Sequence, residues 1–360
     1  MIAYLILVHR YPNQFKRLFR AIYHSANYYL VHVDKRSGVG LQTEIQDFLS
    51  GFPNASLLKS KNTLWGGYSL IDAELRGIKE LLKIGLKWEF FINLSGQDFP
   101  LKSQTHIQNF LNRNIGKDFI KVVNQSKFRF DTLSRIQNYV IEFGNRILRT
   151  PIKRPYLRGV TPYIGTQWMI LSRKFCEFVC YSPEVERFKS FYRHTFIPDE
   201  AFFQTVIMNT SFKGIIVNDD KRTIEWVPMG TIKLRPRDFT SKDAEFLLAS
   251  QGLFARKFNE TVDRGILSIL ESRIYRRHFN LLRKADQQAA KKVFYFMKTL
   301  EKTAPSLVST SNYRIAILDS KTRERIALRN SIDIRWLKTS SNIVPDGPGI
   351  AHMVRADVKS

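Results

Sequence analysis

What most constrains this chain is a set of short runs that are apolar from end to end: Ile2–Val8, Tyr28–Val33, Ala55–Leu58, Phe90–Leu94, Phe119–Val123, Gln167–Leu171 and Gly214–Val217. A strand with one wet face alternates polar and apolar residues. A run that is apolar throughout is covered on both faces, as in a parallel or mixed sheet flanked by helices. Helical patterns fall between the runs. Asn13–His24 puts Phe15, Leu18, Phe19 and Ile22 on one face. Ser69–Ile84 carries Leu70, Ala73, Leu75, Ile78, Leu81 and Leu82, with Ser69 and Asp72 spaced as a capping box. The alternation predicts an α/β fold with right-handed crossovers, whose ligands bind beyond the carboxyl ends of the strands.

Past Asp238 the pattern turns mainly helical, over Ser241–Gln251, Val262–Leu282 and Gln287–Lys302. The expected organisation is one domain over residues 1–270, a basic helical extension over 271–303, and a tail or appendage without an assigned role over 304–360. No apolar run approaches the roughly 20 residues of a membrane span. Residues 2–8 read as a buried strand rather than a secretory signal, so a soluble or at most peripheral protein is expected. Cys176 and Cys180 lie four apart on a helical stretch; with no His cluster beside them they read as buried, reduced thiols. Aromatic content is 13%, which suits either a large core or a carbohydrate site where rings stack on sugars.

Charge narrows the partners. The net charge is +25, with basic residues concentrated at Arg146 to Arg158 and Arg273 to Lys292. That sign favours a nucleic acid, an acidic lipid surface or a phosphorylated small molecule. A nucleic-acid-binding module is the competing reading, but it leaves the following segments unexplained.

Several segments carry polar groups at strand ends or turns, each with a structural alternative. His32-Val-Asp34 ends an apolar run and is followed by Lys35; the carboxylate can hold a base or ribose, or simply be solvated at a loop. Trp65-Gly66-Gly67-Tyr68 precedes a helix; it allows close backbone approach to an anion, or is only a turn. Ser95-Gly96-Gln97-Asp98 follows a buried strand where metal-dependent transferases place Asp-x-Asp, a motif that occurs nowhere in this chain. Pro198-Asp199-Glu200 opens a helix: Asp199 reads as a cap, and Glu200 is either a second acidic group in the first turn or a proton acceptor in a cleft. Arg235-Pro-Arg237 and Arg256-Lys257-Phe258 set cations in apolar context, as phosphate ligands or as surface side chains.

In order, His32–Ser37, Trp65–Ser69, Asn93–Pro100, Gly165–Arg173, Pro198–Glu200 and Leu253–Phe258 resemble the core-2/I-branching β-1,6-N-acetylglucosaminyltransferases and peptide O-xylosyltransferases. The resemblance spans roughly residues 2–270. It implies a GT-A-type nucleotide-sugar fold, inversion at the anomeric carbon, no manganese and no other cofactor, with Glu200 as the base. It also implies that Lys257 and one of Arg235 and Arg237 stabilise the leaving diphosphate. Val8, His32, Asp34 and Lys35 would hold uridine and ribose; Trp65, Gly66, Gly67, Ser95 and Asp98 would line the donor sugar; Gln167, Trp168 and Trp226 would meet the acceptor. The expected donor is UDP-N-acetylglucosamine, with UDP-xylose as alternative. The animal relatives have a membrane anchor and many disulfides; without them, this chain reads as a bacterial cytoplasmic enzyme acting on a glycan. That glycan would be lipid-linked, with the basic helical region at an anionic inner membrane face.

Overall fold

The computed structural model describes residues 1–84, 88–229, 233–280, 316–318 and 325–328. One compact unit runs from Met1 to Leu270 and a second from Glu271 to Ser360.

The first unit is built on β1 (Ile2–Val8), α1 (Pro12–Ile22), β2 (Tyr28–Val33), α2 (Val39–Leu49), β3 (Ala55–Leu58), α3 (Ser69–Lys83), β4 (Phe90–Ser95), β5 (Asp98–Pro100), α4 (Gln104–Asn112) and β6 (Lys117–Ile120). Its central sheet has seven strands in the order 215–217, β6, 169–172, β4, β1, β2, β3. Six run parallel; Met169–Ser172 alone is antiparallel to both neighbours, β4 and β6. This is the α/β fold with a mostly parallel sheet that the apolar runs predict.

All seven residues of β1 are buried. Ala3, Leu5 and Leu7 enter a core shared with α3 and with the helix Arg173–Tyr181, which supplies Phe175, Cys176, Val179 and Cys180. Both thiols are free, and burial raises their pKa, that of Cys180 to about 11. On the other face Tyr4 stacks on Tyr29 at 5.3 Å, and Phe19 packs on Tyr29, Phe48 and Phe52 at 4.8–5.4 Å. Much of the aromatic content is therefore core; each such ring contributes about 1.5–3 kcal/mol by burial.

Register brings Val8, Val33 and Ser95 to one edge, since Val8 pairs with Val33 and Leu7 with Ser95. The chain order reverses between β1 and β4, so this edge is the switch point at which such sheets bind ligands. A three-stranded sheet of Arg222–Ile224, Phe254–Arg256 and β5 sets Asp98 opposite Arg256 and delivers Lys257 to the same edge.

Some local expectations change. The capping box at α3 does not form: Ser69 Oγ accepts the Leu64 N–H at 2.8 Å, and Asp72 pairs with Arg76 at 2.8 Å. Residues 138–153 form an antiparallel hairpin of Asn138–Phe143 and Arg146–Lys153, which the sequence patterns did not indicate. Trp226–Met229 pairs with Lys233–Pro236. The expected helix Val262–Leu282 is seen as Gly265–Asn280. Gln287–Lys302 lies outside the described residues, as does the 304–360 tail apart from a ribbon of Ala316–Leu318 and Arg325–Leu328. Among the described residues no helix is long and apolar enough to cross a membrane.

Candidate active site

At the switch point the strand tips carry a dense set of charges. The Asp34 N–H donates to the Val8 carbonyl at 2.9 Å, fixing the buried Asp34 carboxylate beside β1. Burial opposes its ionisation, but hydrogen bonds from the Arg36 side chain and N–H and from Thr63 outweigh that and hold its pKa below the ordinary value. Arg36 also donates to the Thr63 carbonyl, tying the Thr63–Trp65 loop to β2. Lys35 is exposed next to it. Burial, with the Arg10 charge adding to it, pushes His9 down to about 4, while Asp34 opposes; Lys257 and Arg256 act in the same direction as Arg10. The Lys257 ammonium is itself shifted down, first by burial and then by Arg10, Arg256 and Arg235, against Asp238. Arg10, Arg235, Arg256 and Lys257 thus share one positive field at the ends of β1, β2 and β4.

Two of these cations are structurally committed and two are not. Arg10 donates to the Gln97 side chain at 3.0 Å. Arg256 lies 3.5 Å from Asp98 and covers the Trp168 ring at 3.9 Å. Neither Arg235 nor Lys257 has an ion-pair partner among the described residues. Arg237 is held by Asp243 at 2.7 Å and by Glu225, and these bonds raise its pKa. Of the arginine pair, Arg237 is thus the one held by acids among the described residues.

The other side of the site is the turn Pro198–Glu200. Ile197 enters it in the left-handed region (φ 51°), with its N–H on the Gly66 carbonyl at 2.9 Å. The Glu200 carbonyl accepts the Gly165 N–H at 2.7 Å. The Glu200 side chain is one-quarter exposed, and its Oε2 accepts from Arg135 Nη1 at 2.7 Å. Oε1 has no hydrogen-bond partner among the described residues. Asp199 does not cap the following helix; it is buried with Oδ1 unpartnered, and burial, reinforced by Glu200, raises its pKa.

A buried polar chain joins the two sides. Arg222 donates to the Asn93 carbonyl at 3.0 Å, Asn93 donates to Glu74 Oε1 at 2.9 Å, and Gln167 donates to the same oxygen at 3.2 Å. Glu74 lies in the electrostatic field of Asp199, and burial raises its pKa to about 8. Nothing in the sequence reading singled out Glu74. Its signal is positional: it falls with Ile71, Leu75, Ile78 and Leu81 on the buried stripe of α3.

Several expected ligand contacts are occupied by protein. His32 is buried, with Nε2 accepting the Lys61 N–H at 3.2 Å; burial lowers its pKa to about 4. Asp98 is fully buried, accepting the Ser95 N–H at 2.6 Å. Ser95 is buried too, its hydroxyl accepting the Gln97 N–H at 3.2 Å. A side chain at Gly66 would strike Phe196, and one at Gly67 would strike the Glu142 carboxylate. That carboxylate already accepts the Ser69 N–H at the start of α3, where an anion was expected. Trp168 is 5% exposed beneath Arg256, so that ring face is closed to an acceptor. Trp65 and Trp226 remain open, at 65% and 40% exposure.

The sequence profile of the Core-2/I-branching enzymes matches residues 2–247, a stretch that holds Asp34, the Trp65 loop, Glu200 and Arg235. The chain belongs to this family. Similar curated proteins are Xylosyltransferase 2 of Pan troglodytes (33% identical over 294 residues), Xylosyltransferase 1 of Rattus norvegicus (31% over 292) and a xylosyltransferase of Ciona intestinalis (30% over 290). Each alignment covers 76% of this chain but only 34–35% of the relative, so this Core-2/I-branching chain spans about a third of their length. Among solved structures it is similar to a 4-diphosphocytidyl-2C-methyl-D-erythritol synthase from Anaerococcus prevotii, with a TM-score of 0.28, 13% identity and coverage of 61% of this chain and 79% of that one. A glucose-1-phosphate thymidylyltransferase from Bacillus anthracis gives a TM-score of 0.26, 11% identity and coverage of 52% and 78%. Among the described residues of this Core-2/I-branching member, no three His, Cys, Asp or Glu side chains gather as a metal-ligand set.

Proposed function

We propose that this chain is an inverting glycosyltransferase that moves a sugar from a UDP-sugar to a glycan hydroxyl without a divalent metal. The observation that carries the reading is the pairing of unequal sides: a cationic edge with Lys257 and Arg235 uncommitted, and a turn presenting one accessible carboxylate, Glu200. In-line displacement needs that asymmetry. Glu200 Oε1 takes the proton of the acceptor hydroxyl as its oxygen attacks the anomeric carbon. The bond from that carbon to the diphosphate breaks, and the departing charge falls toward Lys257 and Arg235. Arg135 orients Glu200 through Oε2. Asp34 and the Val8 backbone are the proposed uridine and ribose contacts, Trp65 a wall for the donor sugar, and Trp226 an acceptor platform.

N-acetylglucosamine remains the first proposed sugar. The xylosyltransferase names of the relatives favour UDP-xylose as a second reading. The proposed acceptor is a lipid-linked glycan at an anionic membrane face, and the net charge of +25 supports that placement. The buried free thiols suit a reducing, cytoplasmic setting. Three variants test the assignment of sides. Glu200→Gln should lower transfer by about 10²–10⁴-fold with UDP affinity kept. Lys257→Ala and Arg235→Ala should each weaken UDP binding by about tenfold or more. Calorimetric UDP titration separates the cases, and equal loss of UDP binding in Glu200→Gln would contradict the division of roles.

A further inference from the structure

The hairpin Asn138–Phe143/Arg146–Lys153 leaves large apolar side chains exposed on its outer face. Its inward face is anchored: Val140 is buried, its N–H donating to the His194 carbonyl at 3.1 Å and its carbonyl lying 3.2 Å from His194 Nδ1, Glu142 accepts the Ser69 N–H, and Arg149 lies 4.5 Å over the Phe196 ring. Its outward face is apolar. Ile141 pairs across the strands with Leu148 and Phe143 with Arg146; the three apolar side chains are 38%, 51% and 76% exposed. Ile152, Phe128 and Phe130 add 63%, 71% and 67% exposed side chains on the same stretch of chain. A sheet face turned to water is ordinarily the polar one, and a grouped apolar face marks a docking surface.

Charge selects what docks. Between Lys127 and Arg158 the basic residues are Lys127, Arg129, Arg135, Arg146, Arg149, Lys153, Arg154 and Arg158, against Asp131 and Glu142 alone. Asp131 is spent on Arg129 and Glu142 faces inward, so the outer face offers no free acid to a partner. A second copy seated face to face would set Arg146 and its neighbours against like charges. Aromatic and aliphatic side chains framed by Arg and Lys match the interfacial zone of an anionic bilayer, apolar groups at acyl-chain depth and cations at the phosphates.

We propose that this hairpin is a membrane-docking element whose outer face enters the interfacial layer of an anionic bilayer, with Arg146 and Lys153 at the lipid phosphates. The hairpin is fastened to the segment that carries Glu200: Tyr139 stacks on His194 at 4.4 Å, and Arg135, at its base, holds both Glu200 and the Phe196 N–H. Docking here sets the base side of the site over the leaflet, where a lipid-linked acceptor presents its sugar. The orientation rests on the lipid-linked acceptor proposed above; the docking itself does not.

The test is sedimentation of the full chain with vesicles of phosphatidylcholine plus phosphatidylglycerol, and with phosphatidylcholine alone. The double variant Phe143→Ser/Leu148→Ser and Arg146→Glu are run beside the parent, with melting curves and UDP-sugar hydrolysis recorded for each. Expected is binding of the parent to the anionic vesicles only, weakened about tenfold or more in each variant, with melting and hydrolysis unchanged. Parent-like binding of the double variant would overturn the proposal. So would a parent that ignores vesicles but self-associates, with the double variant monomeric. Hydrolysis lost in every protein while vesicle binding follows the expected pattern would overturn the transferase reading and leave the docking intact.

Discussion

Glu74 has no water to ionise into. It sits on α3 with Oε1 held by the Asn93 and Gln167 amides and Oε2 unpartnered, and burial raises its pKa from 4.5 to about 8. A carboxyl whose folded pKa lies above its unfolded one stabilises the fold fully below the unfolded value. The contribution declines as pH rises through the interval and is gone above about 8. The melting temperature of the parent should therefore fall between about pH 5 and about pH 9 relative to Glu74→Gln, which keeps the Oε1 acceptor and removes the proton. Equal pH slopes for the two proteins would contradict a neutral Glu74. At this scale the sequence was legible where chemistry is local, as with the apolar identity of each β1 residue. It was not legible where partners are distant: Arg256 covers Trp168 and Glu142 faces Gly67, contacts that only the folded chain creates.

Elements are held to the site by close backbone approaches. A side chain at Gly165 would fall inside contact with the Lys121 carbonyl oxygen, a backbone atom that cannot turn aside. The Gly165 N–H at the same time supports the Glu200 carbonyl at 2.7 Å. Gly165→Ala should cost about 1–3 kcal/mol of stability and lower transfer as the Glu200 turn shifts, read by thermal melts and initial rates. A variant as stable and active as the parent would show that this approach does not position the turn. The strands of the sheet were readable because burial on both faces leaves continuous apolar runs. The 138–153 hairpin was not, because apolar residues lie on both of its faces, Val140 inward and Ile141, Phe143 and Leu148 outward, so no clean alternation marks it as a strand pair. What lies beside Gly66 and Gly67 was not legible either: Phe196 and Glu142, far along the chain, pack where a Cβ would stand.

Across the whole molecule, positive charge is unevenly committed. Arg237, Arg36 and Arg129 pair with nearby acids, while Lys257 and Arg235 have no ion-pair partner among the described residues. Desolvation and like-charge crowding disfavour the charge on Lys257, an effect that a diphosphate would offset. Under the proposed function, fixed side chains serve where other sugar transferases hold a cation. The most direct measurement is UDP-sugar turnover in excess EDTA by the parent and by Lys257→Ala, each repeated with manganese restored. Expected are parent turnover unaffected by the chelator and a Lys257→Ala defect that manganese does not repair. Parent activity that vanishes in EDTA and returns with manganese would contradict it.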